Sequence, residues 1–328
     1  MLDVFLTVDS ELSPDNLRRG VALRDEMDLS FYGRTGEGDF GVPYQMDVLD
    51  AHGLKGIFFV ESLFACNTGL APLREMAGTI RDRGHDAQLH IHTEWLPAAA
   101  PIILPGRSGL NMHCFSENEQ ALLIDRGRDN LIRAGVSQIS AFRAGNMGAD
   151  RATLRALARN GISCDSSYFA PYLQSHCRLD SLGDICQPVL VDGIVEFPIS
   201  AFQDFPGHTR PMQLCACSSS ELCHGLMQAW QRGWQSVVLL WHSFELIKRP
   251  GGNRQSPAPA NIIIQRFQRL CRFLADHSDK FRTVTFADQM TANYRAGAAP
   301  ANKAFAPLKS SVWRTAWRVA EQAVDAIC

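Results

Sequence analysis

The chain has 328 residues, with 32 Lys and Arg against 34 Asp and Glu and a formal net charge of −2. A chain of this length can bury a large core in one α/β barrel or in two smaller domains. The near balance of charge does not indicate a nucleic-acid binder or a polybasic membrane protein, so partners have to be inferred from individual sites.

The cysteines and the N-terminal residues indicate the compartment. Ten cysteines are scattered through a chain that does not need disulfides, and residues 1–6 contain neither a basic segment nor a long apolar run. No stretch approaches the roughly 18 consecutive apolar residues of a transmembrane helix. We therefore expect a cytoplasmic protein with reduced thiols. Cys215 and Cys217, near Cys223 and His224, could bind a soft metal, but their spacing fits no common zinc pattern and favours structural cysteines.

Apolar runs alternate with helical patterns along most of the chain. Strands are predicted at 4–8, 54–60, 86–92, 138–143, 163–165, 194–199, 236–241 and 281–285. Helices are predicted at 44–51, 70–83, 117–134, 150–160, 220–232 and 261–277, most of them followed by glycine. About seven strand-then-helix units without an internal repeat favour a closed or nearly closed parallel barrel.

The C-terminal region differs from the barrel in composition. We expect a barrel domain at 1–295, an Ala/Pro-rich linker at 296–308 and an amphipathic helix at 309–328. The apolar residues of that helix recur every three or four positions: Trp313, Trp317, Ala320, Val324 and Ile327. This face is expected to dock on its own domain or on a second subunit, with a peripheral membrane contact as the alternative.

Two histidines in the third predicted strand suggest a metal site. If 86–92 is a strand, His90 and His92 point to the same face, about 7 Å apart along the strand. Two imidazoles in this arrangement can bind one ion between them, and an acidic residue from another strand end would complete the site.

Titratable residues collect at the C-terminal ends of the predicted strands, where parallel barrels place their chemistry. These residues are Asp9, Glu11, His90, His92, Arg143, Asp165 and His242. One carboxylate of the first strand with the two histidines gives three ligands and leaves room for water and substrate, as in catalytic zinc sites. The second carboxylate could take a proton from the bound water, and His242 could protonate a leaving group. The pattern predicts metal-assisted hydrolysis, and the chain has no GxGxxG motif or P-loop lysine.

Five short motifs carry a resemblance to a known family. They are TVDSE (7–11), RGHDAQLHIHTEW (83–95), FRAGN (142–146), CDSSY (164–168) and LLWHSFE (239–245). Together, from about Leu2 to about Thr285, the chain resembles the NodB-homology polysaccharide deacetylases, carbohydrate esterase family 4. It looks most like the WalW-like branch associated with lipopolysaccharide biosynthesis. The resemblance implies a distorted (β/α)7 barrel, one divalent metal that is usually zinc, and removal of an acetyl group from a sugar.

The resemblance also implies roles for individual residues. Asp9 matches the catalytic base, and Arg143 matches the arginine that orients it. His242 matches the general acid, with Asp165 as its expected partner. Serine stands where the family has its metal-binding aspartate, which moves that role to Glu11.

The remaining metal ligands are implied in the same way. His90 matches the first ligand histidine. Glu94 stands where the second is usual, and the additional His92 lies between them. Strand geometry lets either residue face the ion, and we take His92 as third ligand with Glu94 as the alternative.

The expected function is metal-dependent deacetylation of an N-acetylated, less readily an O-acetylated, sugar in surface-polysaccharide or lipopolysaccharide biosynthesis. The substrate would be nucleotide- or lipid-linked. One alternative is an amidohydrolase acting on a small cyclic or linear amide. Another is a non-catalytic sugar-binding or scaffold subunit that docks through its C-terminal helix.

Overall fold

The computed structural model of the protein describes residues 1–99, 102–251, 255–286 and 308–327. Its strands are, in chain order, β1 (Leu2–Ser10), β2 (Arg34–Thr35), β3 (Gly38–Asp39), β4 (Ile57–Glu61), β5 (Asp86–Ile91), β6 (Ala141–Ala144), β7 (Cys164–Asp165), β8 (Val189–Val191), β9 (Ile194–Glu196), β10 (Ala201–Phe205), β11 (His208–Pro211), β12 (Ser236–His242), β13 (Ile247–Lys248), β14 (Ala258–Pro259), β15 (Phe281–Thr283) and β16 (Leu308–Lys309). Its α-helices are α1 (Pro14–Arg18), α2 (Leu23–Ser30), α3 (Val42–Ala51), α4 (Ala65–Thr68), α5 (Leu70–Arg81), α6 (Glu117–Arg133), α7 (Arg151–Arg159), α8 (Ser219–Gln231), α9 (Asn261–Asp276) and α10 (Val312–Ile327).

The main sheet is almost entirely parallel and curls into an incompletely closed barrel. Its strand order is β12-β1-β4-β5-β6-β7-β9-β8, with β15 also paired to β1, and only β8 runs antiparallel to its neighbour. The free edge of β12 is covered by the segment after β9, because Ser200 and Leu214 donate backbone hydrogen bonds to Val238 and Leu240 at 3.1 and 3.0 Å. The expectation of a distorted α/β barrel with a C-terminal helix is confirmed.

Strand β1 is buried along its whole length and contributes to the core inside the barrel. All nine residues of β1 are buried, as expected for a parallel strand with both faces covered. Inside the barrel, Phe5 packs on Phe197 and Phe286 with ring centroids 5.1 and 4.9 Å apart. This aromatic packing fills the barrel below the strand ends, so the polar residues at those ends line a cavity with an apolar floor.

The predicted helices and strands of the barrel are found with shifts of a few residues at their ends. Three helices were not predicted, α1, α2 and α4, and the irregular region after β7 contains four short strands, β8 to β11, rather than one. The start of α1 has a sequence signal, because Ser13 accepts a hydrogen bond from the Asn16 amide at 3.3 Å and Pro14 occupies the first turn. No side chain caps α2, so its helical character depends on packing.

The C-terminal helix docks on the barrel by its charged side, so the predicted docking of its tryptophans on their own domain is wrong, whereas docking on a second subunit stays a prediction. Arg318 is buried and pairs with Asp204 and Glu221 at 3.0 and 3.2 Å. Trp313 and Trp317 are 85% and 63% exposed. Trp313, Trp317 and Ala320 therefore face away from the barrel, because the two buried carboxylates attract the helix face that carries Arg318.

Two further predictions concern the chain outside the barrel. The predicted linker at 296–308 lies, apart from Leu308, outside the described residues. Within the described residues, no helix combines the length and the apolar character needed to cross a membrane.

Candidate active site

The polar strand ends meet at one cavity. In the parallel registers, Asp9 of β1 is paired with His242 of β12, and His90 of β5 is paired with Arg143 of β6. The cavity has a volume of about 160 Å³. It is lined by Asp9, Glu11, His90, His92, Asn146, Met147, Phe169, Tyr172, Gln213, Leu240 and His242.

Glu11, His90 and His92 form a compact cluster. The Glu11 carboxylate oxygen Oε2 lies 3.2 Å from His90 Nε2 and 2.7 Å from His92 Nε2. One ligand atom of each residue lies within 4.8 Å of the others, and this is the one such His, Cys, Asp or Glu group found in the described part of the chain. The structure thus brings together the three residues that the sequence suggested as metal ligands.

The Nδ1 atom of each histidine, which points away from the cluster, also has a polar partner. His90 Nδ1 donates to the Arg143 carbonyl at 2.8 Å, which leaves Nε2 to face the cluster. His92 Nδ1 lies 3.3 Å from Glu94 Oε2, and the other oxygen of Glu94 accepts from Asn146 at 2.8 Å. Glu94 therefore lies behind His92 and orients it, an arrangement typical of the outer shell of metal sites. This geometry favours His92 over the alternative ligand Glu94.

Gly145 makes room for the His92 ring. A Cβ atom at Gly145 would come within 2.7 Å of Cγ and Nδ1 of His92, closer than such contacts occur. The next two residues, Asn146 and Met147, adopt φ angles of 55° and 56°, which residues other than glycine rarely do. The FRAGN motif thus supplies both the space for His92 and the amide that holds Glu94.

Charge coupling fixes the protonation of the cluster. Burial alone would raise the pKa of Glu11, but the charge of His92 and hydrogen bonds from both histidines hold it well below its usual value. Burial alone would lower the pKa of His92, but the Glu11 and Glu94 carboxylates raise it well above its usual value. Without a bound cation, His92 is an imidazolium between two carboxylates, and binding of a cation would release the proton on Nε2.

Asp9 and Arg143 form a buried ion pair beside the cluster. The Arg143 guanidinium donates to Asp9 Oδ1 at 2.7 Å and to Thr7 at 3.0 Å, and both charged side chains are almost fully buried. The same guanidinium donates to the carbonyl and hydroxyl of Ser166, each at 2.9 Å, and stacks on Phe59 at 4.2 Å. These contacts fix Arg143 on several sides and hold the Asp9 carboxylate at the cavity wall.

His242 faces the cavity from β12, the strand next to β1. Its Nδ1 donates to Glu245 at 2.8 Å, and Gln213 donates to the same carboxylate oxygen at 2.8 Å. Burial lowers the pKa of His242, but the hydrogen bond to Glu245 and the nearby charges of Glu11 and Asp9 outweigh it and raise the pKa to about 9. His242 is therefore protonated at neutral pH and can donate a proton.

Asp165 does not take the expected place beside His242. Its carboxyl accepts a hydrogen bond from the Ser167 hydroxyl at 2.7 Å. In the parallel pairing of β7 with β9, Asp165 lies next to Glu196. The carboxyl that contacts His242 belongs to Glu245, and Asp165 is not part of the cavity wall. The expected partnership is wrong because Ser167 binds the Asp165 carboxyl, while the turn after β12 brings Glu245 within 2.8 Å of His242.

Glu245, Gln213 and Asn146 were not singled out from the sequence. Glu245 had a signal, since it lies three residues after His242 within a quoted motif. Gln213 and Asn146 reach the site from an irregular segment and a strained turn, for which the sequence gives no periodic signal. Ser10, at the position of the family's metal-binding aspartate, has a buried hydroxyl without a partner in the described structure.

Comparisons with known proteins establish the fold. No sequence-family profile matches the chain, and no curated protein sequence does either. Among solved structures, a protein from Mycobacterium smegmatis assigned as a polysaccharide deacetylase is similar over 91% of this chain and 92% of its own, with 20% identity and a TM-score of 0.57. A 4-alpha-glucanotransferase from Thermococcus litoralis matches 94% of this chain and 41% of its own, with 10% identity and a TM-score of 0.51. A family 4 carbohydrate esterase from Streptomyces lividans covers 86% and 91%, with 13% identity and a TM-score of 0.43.

The fold and the site together define a class. The chain has the curled α/β barrel found in solved polysaccharide deacetylase-like structures, and a carboxylate–imidazole cluster lies at the C-terminal ends of its strands. Because one fold supports several chemistries, as the glucanotransferase match illustrates, the reaction has to be argued from the site.

Proposed function

We propose that the protein is a metal-dependent hydrolase that removes the acetyl group from an N-acetylated sugar. The observation that carries this proposal is the Glu11–His90–His92 cluster, which shares one cavity with a buried carboxylate, Asp9, and a protonated imidazole, His242. A cation site between a general base and a general acid is the arrangement that amide hydrolysis requires.

The residues of the cluster fit a divalent ion. One carboxylate and two imidazoles are the donor set of catalytic zinc sites, and three protein ligands leave a position for water or substrate. The ring nitrogens that do not face the cluster are already committed to Arg143 and Glu94, so each histidine offers one nitrogen. A bound divalent ion supplies Lewis acidity, which lowers the pKa of water and polarises a carbonyl. Glu11, His90 and His92 would hold that ion, and zinc fits these donors well.

The remaining residues divide the proton transfers between them. Asp9, positioned by Arg143, accepts the proton of the attacking water. His242, protonated because Glu245 holds its Nδ1, donates a proton to the departing amine. Asp9 and His242 lie on adjacent strands in register, so base and acid flank the same reacting carbon.

The size and walls of the cavity support an acetamido group as the reacting part. A volume of about 160 Å³ is close to that of an apolar cavity of about 150 Å³ that accommodates benzene. Leu240, Met147 and Phe169 provide apolar walls beside the charged groups of the cavity. A methyl group and an amide fit this space, whereas a whole oligosaccharide does not.

Surface-polysaccharide or lipopolysaccharide biosynthesis is the setting we propose for this reaction. Five motifs resemble the deacetylase family and look most like its lipopolysaccharide branch. The full barrel fold of a polysaccharide deacetylase-like structure supports the same substrate class. An acetylated sugar on a nucleotide or lipid carrier is therefore the proposed substrate.

Acetate release from a panel of N-acetylated sugars tests the proposal. The purified protein loaded with zinc should release acetate from at least one of them, and chelation should abolish the release. Asp9→Asn should lower kcat/KM by about 10²–10⁴-fold while bound metal is retained, because it removes only the base. Absence of metal-dependent acetate release from every sugar tested would overturn the proposal.

A further inference from the structure

A second cavity adjoins the candidate active site. It has a volume of about 290 Å³ and shares two wall residues, Glu11 and His92, with the first cavity. Its other walls come from α1 with the residues before it, from Glu94 and Leu110, and from Phe244 and Arg249 after β12. A substrate with its acetyl group in the first cavity can therefore extend into the second, so the groups lining this second cavity bear on which sugars bind.

Arg249 brings a charge into this cavity and has no direct counter-ion among the described residues. Its guanidinium donates one hydrogen bond to Ser30 at 2.9 Å and packs on the Phe244 ring at 4.1 Å. No carboxylate of the described residues lies within 4.0 Å of it, and its buried Nε has no acceptor among them. Burial lowers the pKa of Arg249, which reflects the cost of an incompletely paired charge.

The other charges of the second cavity already have partners. Arg18 is paired with Asp15 and also donates to the Glu94 carbonyl at 3.2 Å. The Glu94 carboxylate is shared by His92 and Asn146. Glu11 is held by the two histidines of the cluster. Among the charged residues of this wall, Arg249 is the one that a negatively charged ligand would best complement.

Arg249 is also connected to the proton donor. Phe244 stacks on the His242 ring with centroids 5.2 Å apart, and Arg249 packs on the same Phe244 ring. Ser30, the hydrogen-bond partner of Arg249, in turn donates to the buried Glu26 carboxylate at 2.5 Å. These contacts hold the guanidinium in a fixed position relative to the reacting centre, as a specificity group requires.

We propose that the second cavity binds an anionic group of the substrate, a phosphate or a carboxylate, with Arg249 as its charge partner. The inference rests on the proposed function, since it assumes that the acetamido group occupies the first cavity. Guanidinium recognises both groups through its planar set of N–H donors. The substrate class is then an N-acetylated sugar that carries a phosphate or an acidic group, in preference to a neutral sugar.

Substrate preference tests the inference directly. N-acetylglucosamine 1-phosphate and an N-acetylated uronic acid should be deacetylated with a higher kcat/KM than the methyl glycoside of N-acetylglucosamine. Which of the two anionic sugars is preferred distinguishes phosphate from carboxylate. Arg249→Gln should reduce the preference for the anionic sugar by about 10-fold, the scale of one hydrogen bond to a charged group. Arg249→Lys should keep part of it.

Matched variants separate this role from a structural one. Arg269→Gln, at an exposed position of α9, removes the same charge away from the cavity and should leave the preference unchanged. Ser30→Ala removes a hydrogen bond of Arg249 but keeps its charge, so most of the preference should remain. An equal fall of kcat/KM for neutral and anionic sugars in Arg249→Gln, or no preference in the unaltered protein, would overturn the inference.

Binding without turnover distinguishes failure of this inference from failure of the proposed function. Glucosamine 1-phosphate, titrated calorimetrically into the chelator-treated protein, should bind about 10-fold more tightly than to Arg249→Gln and at the same affinity to Arg269→Gln. Arg249-dependent binding without any deacetylation would reject the proposed reaction but keep the anion site. Deacetylation without Arg249-dependent binding would keep the reaction and reject the site.

Discussion

Two glutamates at the ends of strands in the same sheet have pKa values that are shifted in opposite directions. Glu11 lies among histidines, and its pKa is held well below its usual value even though burial alone would raise it. Glu196 lies beside Asp165, and both burial and the neighbouring acid raise its pKa well above the usual value. Burial acts in the same direction on both carboxyls, so the neighbours decide which of them is an anion.

The difference separates a candidate cation site from a structural contact. Two imidazoles leave Glu11 as a carboxylate that can bind a divalent ion. A second acid leaves Glu196 protonated and hydrogen-bonded to Asp165, so this pair shares a proton and offers no site for substrate chemistry. Two residues of the same type therefore have different roles, which the following variants test in order of expected effect.

Glu11→Gln should have the largest effect. It removes the carboxylate between the two histidines, so bound zinc should fall from about one per chain to a small fraction of that. Deacetylation should fall by about 10³-fold, the scale of a lost electrostatic group at a reacting centre. Metal analysis and acetate release measure both, with Glu196→Gln as the matched control that keeps its metal. Equal metal contents in the two variants would contradict the assignment.

Glu94→Gln should weaken metal binding without abolishing it. Because Glu94 holds the outer nitrogen of His92, its loss should lower zinc affinity by about 10–100-fold. Competition with a chromophoric chelator measures the affinity. If Glu94→Gln loses zinc as completely as Glu11→Gln, Glu94 is itself a ligand and the orienting role is wrong.

Glu245→Gln should shift the pH dependence of catalysis. The hydrogen bond from His242 to Glu245 is a main reason that the pKa of His242 is raised to about 9, and without it burial lowers that pKa. Since the acid must be protonated, activity is lost as pH rises through this pKa, and the alkaline limb of kcat/KM should move to lower pH. Gln213→Leu, which leaves the carboxylate in place, should shift it less. An unmoved limb in Glu245→Gln would show that another group is the acid.

Glu196→Gln should have the smallest effect, limited to the pH dependence of stability. A carboxyl with a raised folded pKa stabilises the protein below its unfolded value of about 4.5, and this contribution is lost as pH rises through the folded pKa. The glutamine variant lacks that loss, so its free energy of unfolding relative to the unaltered protein should increase from acidic to neutral pH. Urea unfolding at several pH values measures it, with exposed Glu37→Gln as control. Parallel pH curves for all three proteins would contradict a shared proton.

Much of the barrel could be predicted from the sequence because its signals are local. Apolar runs with titratable C-terminal ends gave β1, β5 and β12, and glycines after helical patterns gave most helix ends. The alternation of His90 and His92 with apolar residues placed both rings on one face of β5, which the structure confirms. These features depend on period and composition, which a single segment carries by itself.

The remaining features depend on contacts between segments far apart in the sequence. Whether His242 pairs with Asp165 or Glu245 depends on which carboxyl the fold brings to its Nδ1, and this is Glu245 in the turn after β12. The tryptophan stripe of α10 was read correctly as a helix face, but two buried carboxylates turned the opposite face toward the barrel. Periodicity gives the faces of a helix and not the side that meets a partner.

By itself, then, the sequence determined which residues stand at the strand ends and which of them share a face, because strand and helix periods are local properties. Only the tertiary structure decided that Glu11 bridges both histidines, that Glu94 lies behind His92 and that Arg249 enters the neighbouring cavity with no ion partner in the described part of the chain. The physical reason is that hydrogen bonds and pKa values depend on distances of a few ångströms between segments that the fold alone brings together.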